Sequence, residues 1–306
     1  MKILIASTSL ISRPVINTLR NDSQLSFQGV ITFPNKTYGR GQKNKANPLT
    51  QWCLEQDISV FQPDNDEELA DLLKSQNVDL VITIAFGKLI PQHLLSIPTH
   101  GWLNIHFSKL PRWRGAAPVQ RAILSGDKSI GITIFKLDEG MDTGPVYEFA
   151  EYPLAVDATT SKTLNFLSNK AESLIHLTLE KIVAGISPVE QDEQNASIAH
   201  KFSKDDGLIE WGNSSNQIDS KFRALYENPG ILSKFRGIRI KINKMSVSPV
   251  NLSLDPGVVT FQDDKLYVGT SDVPMEIENL TPAGRSPMSG SEFFRGLVNR
   301  SDIYFG

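Results

Sequence analysis

The first half of the chain alternates short apolar runs with longer amphipathic stretches. The apolar runs predict buried strands, and the amphipathic stretches, whose apolar residues recur every three or four positions, predict helices. Strands that alternate with helices favour βαβ units and a mainly parallel sheet with helices on both faces. The predicted strands cover residues 3–6, 29–33, 58–61, 79–85, 101–106, 131–137 and 146–152, and the predicted helices cover 14–19, 66–76, 118–124 and 160–184.

The second half has a different pattern. Residues 188–204 are polar and lack periodicity, which predicts a linker after a first domain that spans 1–187. Short alternating segments between turns rich in Gly, Pro and Asp then predict a small β-barrel or sandwich over 205–306. Ser289 and Glu292 form a capping-box pattern, which predicts a final helix that runs through Val298. The predicted strands of this domain cover 208–211, 238–247, 258–261, 265–268 and 275–280.

Composition and charge limit the classes of protein that fit. The chain has 306 residues, 40% of them hydrophobic, which is enough for a sizeable core without metal or disulfides. Its net charge of -3 gives no strong overall attraction for nucleic acid or membrane, so such binding needs a local patch. The single cysteine, Cys53, excludes an internal disulfide and a Cys-based zinc cluster, and fits a reducing cytoplasm. We expect no membrane helix and no signal peptide.

Two segments place chemically capable side chains near each other. Asn104 and His106 lie two positions apart on a predicted strand, so they face the same side at its C-terminal end, where open α/β sheets bind ligands. A lone histidine there would be a core residue, but the neighbouring asparagine favours a functional site. Asp142 lies in a glycine-bracketed loop, which alone would indicate a turn. Together the three supply an amide donor, an imidazole acid and a carboxylate.

Three basic stretches could bind phosphate groups. Residues 107–126 contain four basic residues and no acidic one, and loop 35–48 likewise has four and none. Residues 221–244 contain seven basic residues and one acidic residue, an uneven distribution in a chain of net charge -3. Such local clusters favour contacts with a nucleic-acid backbone, although a solvated surface would have the same composition.

Several motifs occur together along nearly the whole chain. They are Asn104-x-His106, RWRGAAPVQRAI at 112–123, DEGMDTG at 138–144, AFGKLIP at 85–91, KFSKDDGLIEW at 201–211 and TPAGRSPMSGSEFF at 281–294. In this combination the sequence resembles the methionyl-tRNA formyltransferases, within the wider group of enzymes that use formyltetrahydrofolate. Ser7, Phe107 and Lys109 depart from the family pattern.

The resemblance implies a Rossmann-like α/β domain followed by a smaller OB-like β-barrel that contacts tRNA. It implies transfer of a formyl group from 10-formyltetrahydrofolate to the α-amino group of methionine on initiator tRNA. That chemistry requires no metal, and we expect a cytoplasmic monomer. Asn104 and His106 would stabilise the developing oxyanion, and Asp142 would orient the imidazole and accept a proton from the amine. The implied folate-binding residues are Phe86, Gly87, Leu89, Ser108, Lys109, Leu110, Pro111, Asp138 and Gly140. With the basic stretches, it predicts tRNA contacts at Lys36, Arg40, Lys43, Lys45, Arg112, Arg114, Lys234, Arg236, Arg239 and Lys241.

Other functions remain open at this point. A sugar-nucleotide formyltransferase would act on a free amino sugar, and a formyltetrahydrofolate hydrolase would need no acceptor. A non-catalytic RNA-binding α/β protein would keep the basic stretches but would not need the Asn/His/Asp trio. A nicotinamide-binding enzyme is disfavoured, because ASTSLIS after the first strand lacks the G-x-G-x-x-G pattern.

Overall fold

The computed structural model describes residues 1–34, 36–38, 43–45, 47–250, 252–300 and 303–306, with only the backbone described for 36–38 and 43–45. The chain divides into two compact units. The first comprises Met1–Val119, Lys128–Leu154 and Ser161–His200, and the second comprises Gln120–Asp127, Ala155–Thr160 and Lys201–Gly306.

The first unit contains a seven-stranded sheet and a separate two-stranded one. The strands are β1 Lys2–Ser7, β2 Ser26–Ile31, β3 Lys36–Tyr38, β4 Lys43–Lys45, β5 Val60–Phe61, β6 Leu80–Ile84, β7 Trp102–His106, β8 Ser129–Lys136 and β9 Val146–Pro153. The helices are α1 Arg13–Asn21, α2 Pro48–Glu55, α3 Asp66–Ser75, α4 Gln92–Leu95 and α6 Thr160–Val183, and α5 Pro118–Leu124 begins in this unit and continues into the second. The large sheet has the order β5-β2-β1-β6-β7-β8-β9, and its first five strands are parallel. The mainly parallel α/β fold predicted from the sequence is therefore confirmed.

Continuous apolar sequence explains the centre of this sheet. β6 is buried at every position, and β1 is buried at all but its first residue. Parallel strands covered on both faces lose the alternation seen in half-exposed strands, because both sets of side chains enter the core. The sheet changes direction after β7, which pairs in parallel with β6 but antiparallel with β8. The C-terminal end of β7 therefore lies where the parallel part of the sheet ends.

The second unit contains an antiparallel sheet, as the sequence predicts. Its strands are β10 Ile231–Phe235, β11 Ile238–Val247, β12 Val259–Gln262, β13 Lys265–Val268, β14 Met275–Pro282 and β15 Met288–Ser289, and its helices include α7 Ser215–Leu225 and α8 Gly290–Arg295. The strand order is β10-β11-β14-β13-β12, and β15 pairs with β14. The capping box of Ser289 and Glu292 is present at the start of α8, which ends three residues before Val298.

One strand predicted for this unit was wrong, and three of its elements were not predicted. Residues 208–211 form no strand, since only Leu208 makes an isolated bridge, to Leu232. Helix α7 and strands β10 and β15 were not predicted. Helix α7 begins with a capping box of Ser214 and Gln217, and Asp272 accepts the backbone N–H of Ser215 at its first turn. The backbone hydrogen bonds from Ser215 and Val273 lower the pKa of Asp272 to about 2.

The segment predicted as a linker differs from that expectation. Residues through His200 belong to the first unit. Val189 exchanges two backbone hydrogen bonds with Val146 of β9, and residues 197–199 pair with residues 111–117. A polar segment without periodicity can pack in this way because backbone groups, which every residue has, form the contacts.

Two further observations concern the single cysteine and the character of the helices. Cys53 lies fully buried on α2, and this burial raises the pKa of its thiol to about 11. Within the described ranges, we find no helix with the length and apolar character needed to cross a membrane.

Candidate active site

The site is built around the C-terminal end of β7. Asn104 and His106 lie on the same face of this strand, and Asn104 is in register with Thr83 of β6. The hydroxyl of Thr83 donates to Oδ1 of Asn104 at 2.8 Å. Because this bond engages the amide oxygen, the amide nitrogen of Asn104 turns towards Asp142, whose Oδ1 lies 3.4 Å away.

Asp142 occupies the centre of the polar cluster. Its Oδ2 accepts the backbone N–H of Gly115 at 2.7 Å and lies 3.6 Å from Nδ1 of His106. Its backbone has a φ of 57°, a left-handed conformation that asparagine and aspartate tolerate better than most residues. The structure thus brings together the three residues that the sequence singled out from separate segments.

His106 is buried, with 6% of its surface exposed. Its Nε2 lies 2.9 Å from the carbonyl oxygen of Trp113. A carbonyl only accepts, so Nε2 bears the hydrogen and Nδ1 faces Asp142. Both ring nitrogens of His106 therefore face protein groups in this structure.

The turn after β7 is fixed by its own polar groups. The hydroxyl of Ser108 donates to the carbonyl of Arg112 at 2.7 Å, and Thr133 of β8 donates to the carbonyl of Ser108 at 2.8 Å. The Leu110–Pro111 peptide within this turn is cis. Ser108 therefore supports the turn from a buried position.

Lys109, a predicted folate-binding residue, is already paired. Its ammonium group lies 2.7 Å from Glu151 and 3.1 Å from the hydroxyl of Ser129. The hydrogen bond from Lys109 is the main reason that the pKa of Glu151 lies below its usual value.

The other predicted folate-binding residues lie in two loops. Phe86 is a core residue that stacks on Phe33 with the ring centres 4.8 Å apart. Gly87 has a φ of 71°, and a Cβ there would meet no heavy atom within 4 Å. Leu89 is 68% exposed. In the loop after β8, Asp138 accepts hydrogen bonds from the backbone of Gly140 and from Thr143.

Arg114 is not a surface cation. It is 5% exposed, and its guanidinium donates to Glu193 through Nη1 and Nη2, at 2.9 and 2.6 Å. It also donates to Gln191 through Nε and Nη2, at 3.1 and 2.8 Å. The hydrogen bonds from Arg114 lower the pKa of Glu193. The tRNA contact predicted for Arg114 is therefore corrected: local charge predicted a binding residue, but its partners from residues 191–193 bury it. Arg112 instead lies over the ring of Trp113, at 4.5 Å.

Three polar residues near the trio were not predicted from the sequence. Thr83 orients the amide of Asn104, Gln191 donates to the backbone around Asp142, and Ser197 binds the backbone of residues 113 and 114. Thr83 had a recognisable signal, a polar residue near the end of an apolar strand. Gln191 and Ser197 had none, because they bind backbone groups of segments far away in the sequence. Among the residues that the structure describes, no cluster of three or more His, Cys, Asp or Glu side chains could hold a metal ion.

The basic stretch of the second unit separates into two groups. Lys221, Arg223 and Lys244 bind the Leu208 carbonyl, Asp219 and Glu278, respectively. Lys234, Arg239 and Lys241, which we call the basic hairpin, are exposed on β10 and β11. Lys234 lies directly opposite Arg239 in the register. Within the described part of the chain none of these three forms an ion pair, whereas Arg236 donates to the carbonyl of Asn299.

In the basic loop of the first unit, the structure describes two short backbone segments. Residues 36–38 and 43–45 pair as the antiparallel strands β3 and β4. The side chains of Lys36, Lys43 and Lys45, and the whole of Arg40, lie outside the described residues. The tRNA contacts assigned to them stay predictions.

Comparison with known proteins defines the class. The formyl transferase family matches residues 1–179, and the formyl transferase C-terminal domain matches residues 201–298. The chain therefore belongs to the formyl transferase family, a family of enzymes, as the resemblance predicted.

Particular relatives match the full length. The chain is 34% identical over 306 residues to the methionyl-tRNA formyltransferase of Hydrogenobaculum sp. (strain Y04AAS1), with 100% of each chain covered. It is 32% identical over 300 residues to the enzyme of that name from Salinispora arenicola (strain CNS-205), with 97% of each covered. Its fold is similar to that of HypX from Aquifex aeolicus in complex with tetrahydrofolic acid, with a TM-score of 0.68 and 17% identity over 99% of this chain and 50% of HypX.

Proposed function

We propose that this protein transfers the formyl group of 10-formyltetrahydrofolate to the α-amino group of methionine on initiator tRNA. The main supporting observation is the polar cluster in which Asp142 lies 3.4 Å from Asn104 and 3.6 Å from His106. Relatives that match the chain along its whole length are methionyl-tRNA formyltransferases.

Asn104 and Asp142 suit the two charges that the reaction develops. A neutral amine attacks the formyl carbon, so negative charge builds on the formyl oxygen and positive charge on the amine nitrogen. The amide of Asn104 has two hydrogens, and the described contacts use one of them, towards Asp142. The second can donate to the formyl oxygen. The carboxylate of Asp142 can accept the amine proton, directly or through a water molecule. The bond between the formyl carbon and N10 of the folate then breaks, and N10 takes up a proton as tetrahydrofolate leaves.

The role of His106 depends on a change of hydrogen-bond partner when the substrate binds. Donation from Nε2 to the formyl oxygen requires that its hydrogen leave the carbonyl of Trp113, 2.9 Å away. Hydrogen bonds used in catalysis commonly reach their working geometry only when the substrate is bound. We therefore assign His106 to stabilisation of the oxyanion, with the Trp113 carbonyl as its partner before the substrate arrives.

The loops at this edge suit a folate. A pterin needs an apolar surface and polar partners at its edge. The exposed side chain of Leu89 offers the first, and the open space beside Gly87 lets a ring approach the backbone. Asp138 and the backbone of Gly140 would supply polar partners in the loop that contains Asp142. Ser108, Lys109, Leu110 and Pro111 would contribute through the rigid turn that they form, rather than through the ammonium of Lys109.

The basic hairpin suits the tRNA backbone. Lys234, Arg239 and Lys241 are exposed cations on adjacent strands, and such a group binds phosphates by releasing their counterions. Arg112, Arg236 and the basic residues of loop 35–48 complete the proposed contacts.

Neutralising the basic hairpin should weaken the binding of tRNA and leave the binding of the folate donor unchanged. In the triple variant Lys234→Gln, Arg239→Gln and Lys241→Gln, we expect the slope of log affinity against log salt to fall by up to about 0.9 per lost phosphate contact. Filter binding across a salt series measures that slope. The matched control replaces Lys244, Lys265 and Arg295 by glutamine. It removes the same amount of positive charge, but from side chains that already pair with acidic residues. Equal slopes in the two triple variants would contradict the assignment.

The function itself is tested with labelled 10-formyltetrahydrofolate and methionine-charged initiator tRNA. We expect label on the methionyl-tRNA and none on free methionine or uncharged tRNA. Label on an amino sugar nucleotide instead would favour a sugar formyltransferase, and release of formate without an acceptor would favour a hydrolase. Binding of tRNA with no turnover of the donor would favour a non-catalytic RNA-binding protein. The cytoplasmic location and the monomeric state remain predictions from the sequence.

A further inference from the structure

We propose that Gln191 is a positioning residue that sets the place of Asp142, an inference that rests on the proposed formyl transfer. Its amide nitrogen donates to the carbonyl of Asp142 at 3.0 Å and to the carbonyl of Gly144 at 2.8 Å. These two bonds bracket Thr143 and attach the glycine-bounded loop to residues 191–199, which we call the support segment.

Gln191 can serve this purpose because its own orientation is fixed. Its amide oxygen accepts two hydrogen bonds from the guanidinium of Arg114, at 3.1 and 2.8 Å. Since the guanidinium only donates, the oxygen faces Arg114 and the nitrogen must face the loop. Glu193 balances the charge of the buried Arg114 from the exposed side. The amide is thus held between a rigid cation and the two carbonyls.

The loop needs such external support because its conformation is unusual. Asp142 has a φ of 57°, a left-handed conformation that is unfavourable for most residues with a side chain. Gly144 packs so tightly that a Cβ would overlap the carbonyl oxygen of Lys136. Asp138 and Thr143 bind each other on the exposed side. Gln191 supplies the interior bonds, so its loss would let the Asp142 carboxylate move relative to Asn104 and His106.

The support segment also contacts the loop before α5, but through different atoms. The backbone N–H of Trp113 donates to the hydroxyl of Ser197 at 3.0 Å, and the N–H of Arg114 donates to the carbonyl of Ser197 at 2.8 Å. These contacts hold the partner of His106 and do not involve the side chain of Gln191. A change at Gln191 that keeps its bonds from Arg114 is therefore expected to act on the Asp142 side of the site.

The variant Gln191→Glu separates the two halves of the Gln191 interaction. A glutamate still accepts from Arg114, but it places an oxygen where the amide nitrogen donated to the two carbonyls. We expect kcat for formylation to fall about tenfold to a hundredfold, since a small misplacement of a reacting group has effects of this size. The KM values for donor and tRNA should change less than about twofold, because the support acts through Asp142 and not on either substrate. The matched control is Gln194→Glu, the same change at an exposed position of the segment, with wild-type kcat expected.

A double-mutant cycle with Asp142→Asn tests whether Gln191 acts through Asp142. In the Asp142→Asn background, Gln191→Glu should lower kcat no further, whereas independent effects would multiply. Multiplying effects, or an unchanged kcat in the single variant, would overturn the proposal.

A second measurement, amide hydrogen exchange, does not require the tRNA substrate. The Gly115 amide donates to Asp142, so its hydrogen exchange should become at least tenfold faster in both Gln191→Glu and Gln191→Met, and stay unchanged in Gln194→Glu. Equal exchange rates in wild type and variants would overturn the positioning role. If wild type fails to formylate methionyl-tRNA while the exchange responds as expected, the proposed function fails and the positioning of Asp142 by Gln191 stands.

Discussion

Replacing His106 by alanine is expected to lower the rate of formyl transfer by about 10²–10³, the usual effect of removing one strong oxyanion donor. The substitution removes both ring nitrogens, and with them the hydrogen bond to the Trp113 carbonyl and the contact with Asp142. His106 lies within the first unit and is 6% exposed, so tRNA affinity should stay close to that of wild type. Single-turnover formylation with charged initiator tRNA measures the rate, and filter binding measures the affinity.

His176→Ala is the matched control for this prediction. His176 lies on α6 with 46% of its side chain exposed and a carboxylate, Asp22, 3.6 Å from its Nδ1. His176 therefore forms a histidine–aspartate pair like that of His106, but at a position outside the candidate active site. We expect wild-type turnover from this control. A His106→Ala enzyme with more than half of the wild-type rate would remove His106 from the mechanism.

Asp142→Asn is the second substitution with a large expected effect. Both carboxylate oxygens face hydrogen-bond donors, with Oδ1 towards Asn104 and Oδ2 towards the N–H of Gly115 at 2.7 Å. An asparagine has one oxygen, so its NH₂ group must face one of these donors whichever way the amide turns. It also loses the negative charge beside His106 and the ability to accept the amine proton. We expect a loss of about 10²–10⁴ in kcat, the range for removal of a general base.

The control for this change comes from the same loop. Glu139→Gln makes the same replacement of a carboxylate by an amide at an exposed position, three residues earlier in the chain. Steady-state kinetics of both variants should separate a specific role of Asp142 from a general effect of loop charge. Comparable rates for the two would reduce Asp142 to a turn residue.

Elements with strong local signals were predictable from the sequence. Helix α5 was predicted with the observed bounds of Pro118–Leu124, and α6 was predicted to within one residue. Their apolar residues recur every three or four positions because one face packs on the core. Residues 208–211 misled the prediction because Ile209 and Trp211 are both buried, an alternation typical of a strand. Helix α7 had a usable signal, the capping box of Ser214 and Gln217. It was missed because the neighbouring segments have the alternating pattern of strands.

The candidate site was predictable where it depends on a strand and unpredictable where it depends on tertiary pairing. The alternation of side chains along β7 is enough to place Asn104 beside His106. The burial of Arg114 could not be foreseen, since its partner Glu193 lies 79 positions further along the chain. Gln191 was equally hidden, because a side chain that binds backbone carbonyls leaves no pattern of residue types at either end.

The burial of Cys53 makes the chain convenient for chemical labelling. Thiols react with alkylating reagents as thiolates, and a pKa of about 11 leaves roughly one molecule in ten thousand ionised at neutral pH. Since Cys53 is the only cysteine, the protein should resist maleimide dyes without any substitution of the native residue. A cysteine introduced at the exposed Glu139 would then accept a single fluorophore in the loop that contains Asp142. Its fluorescence emission would report the binding of a substrate in real time, because the buried thiol of Cys53 carries no dye.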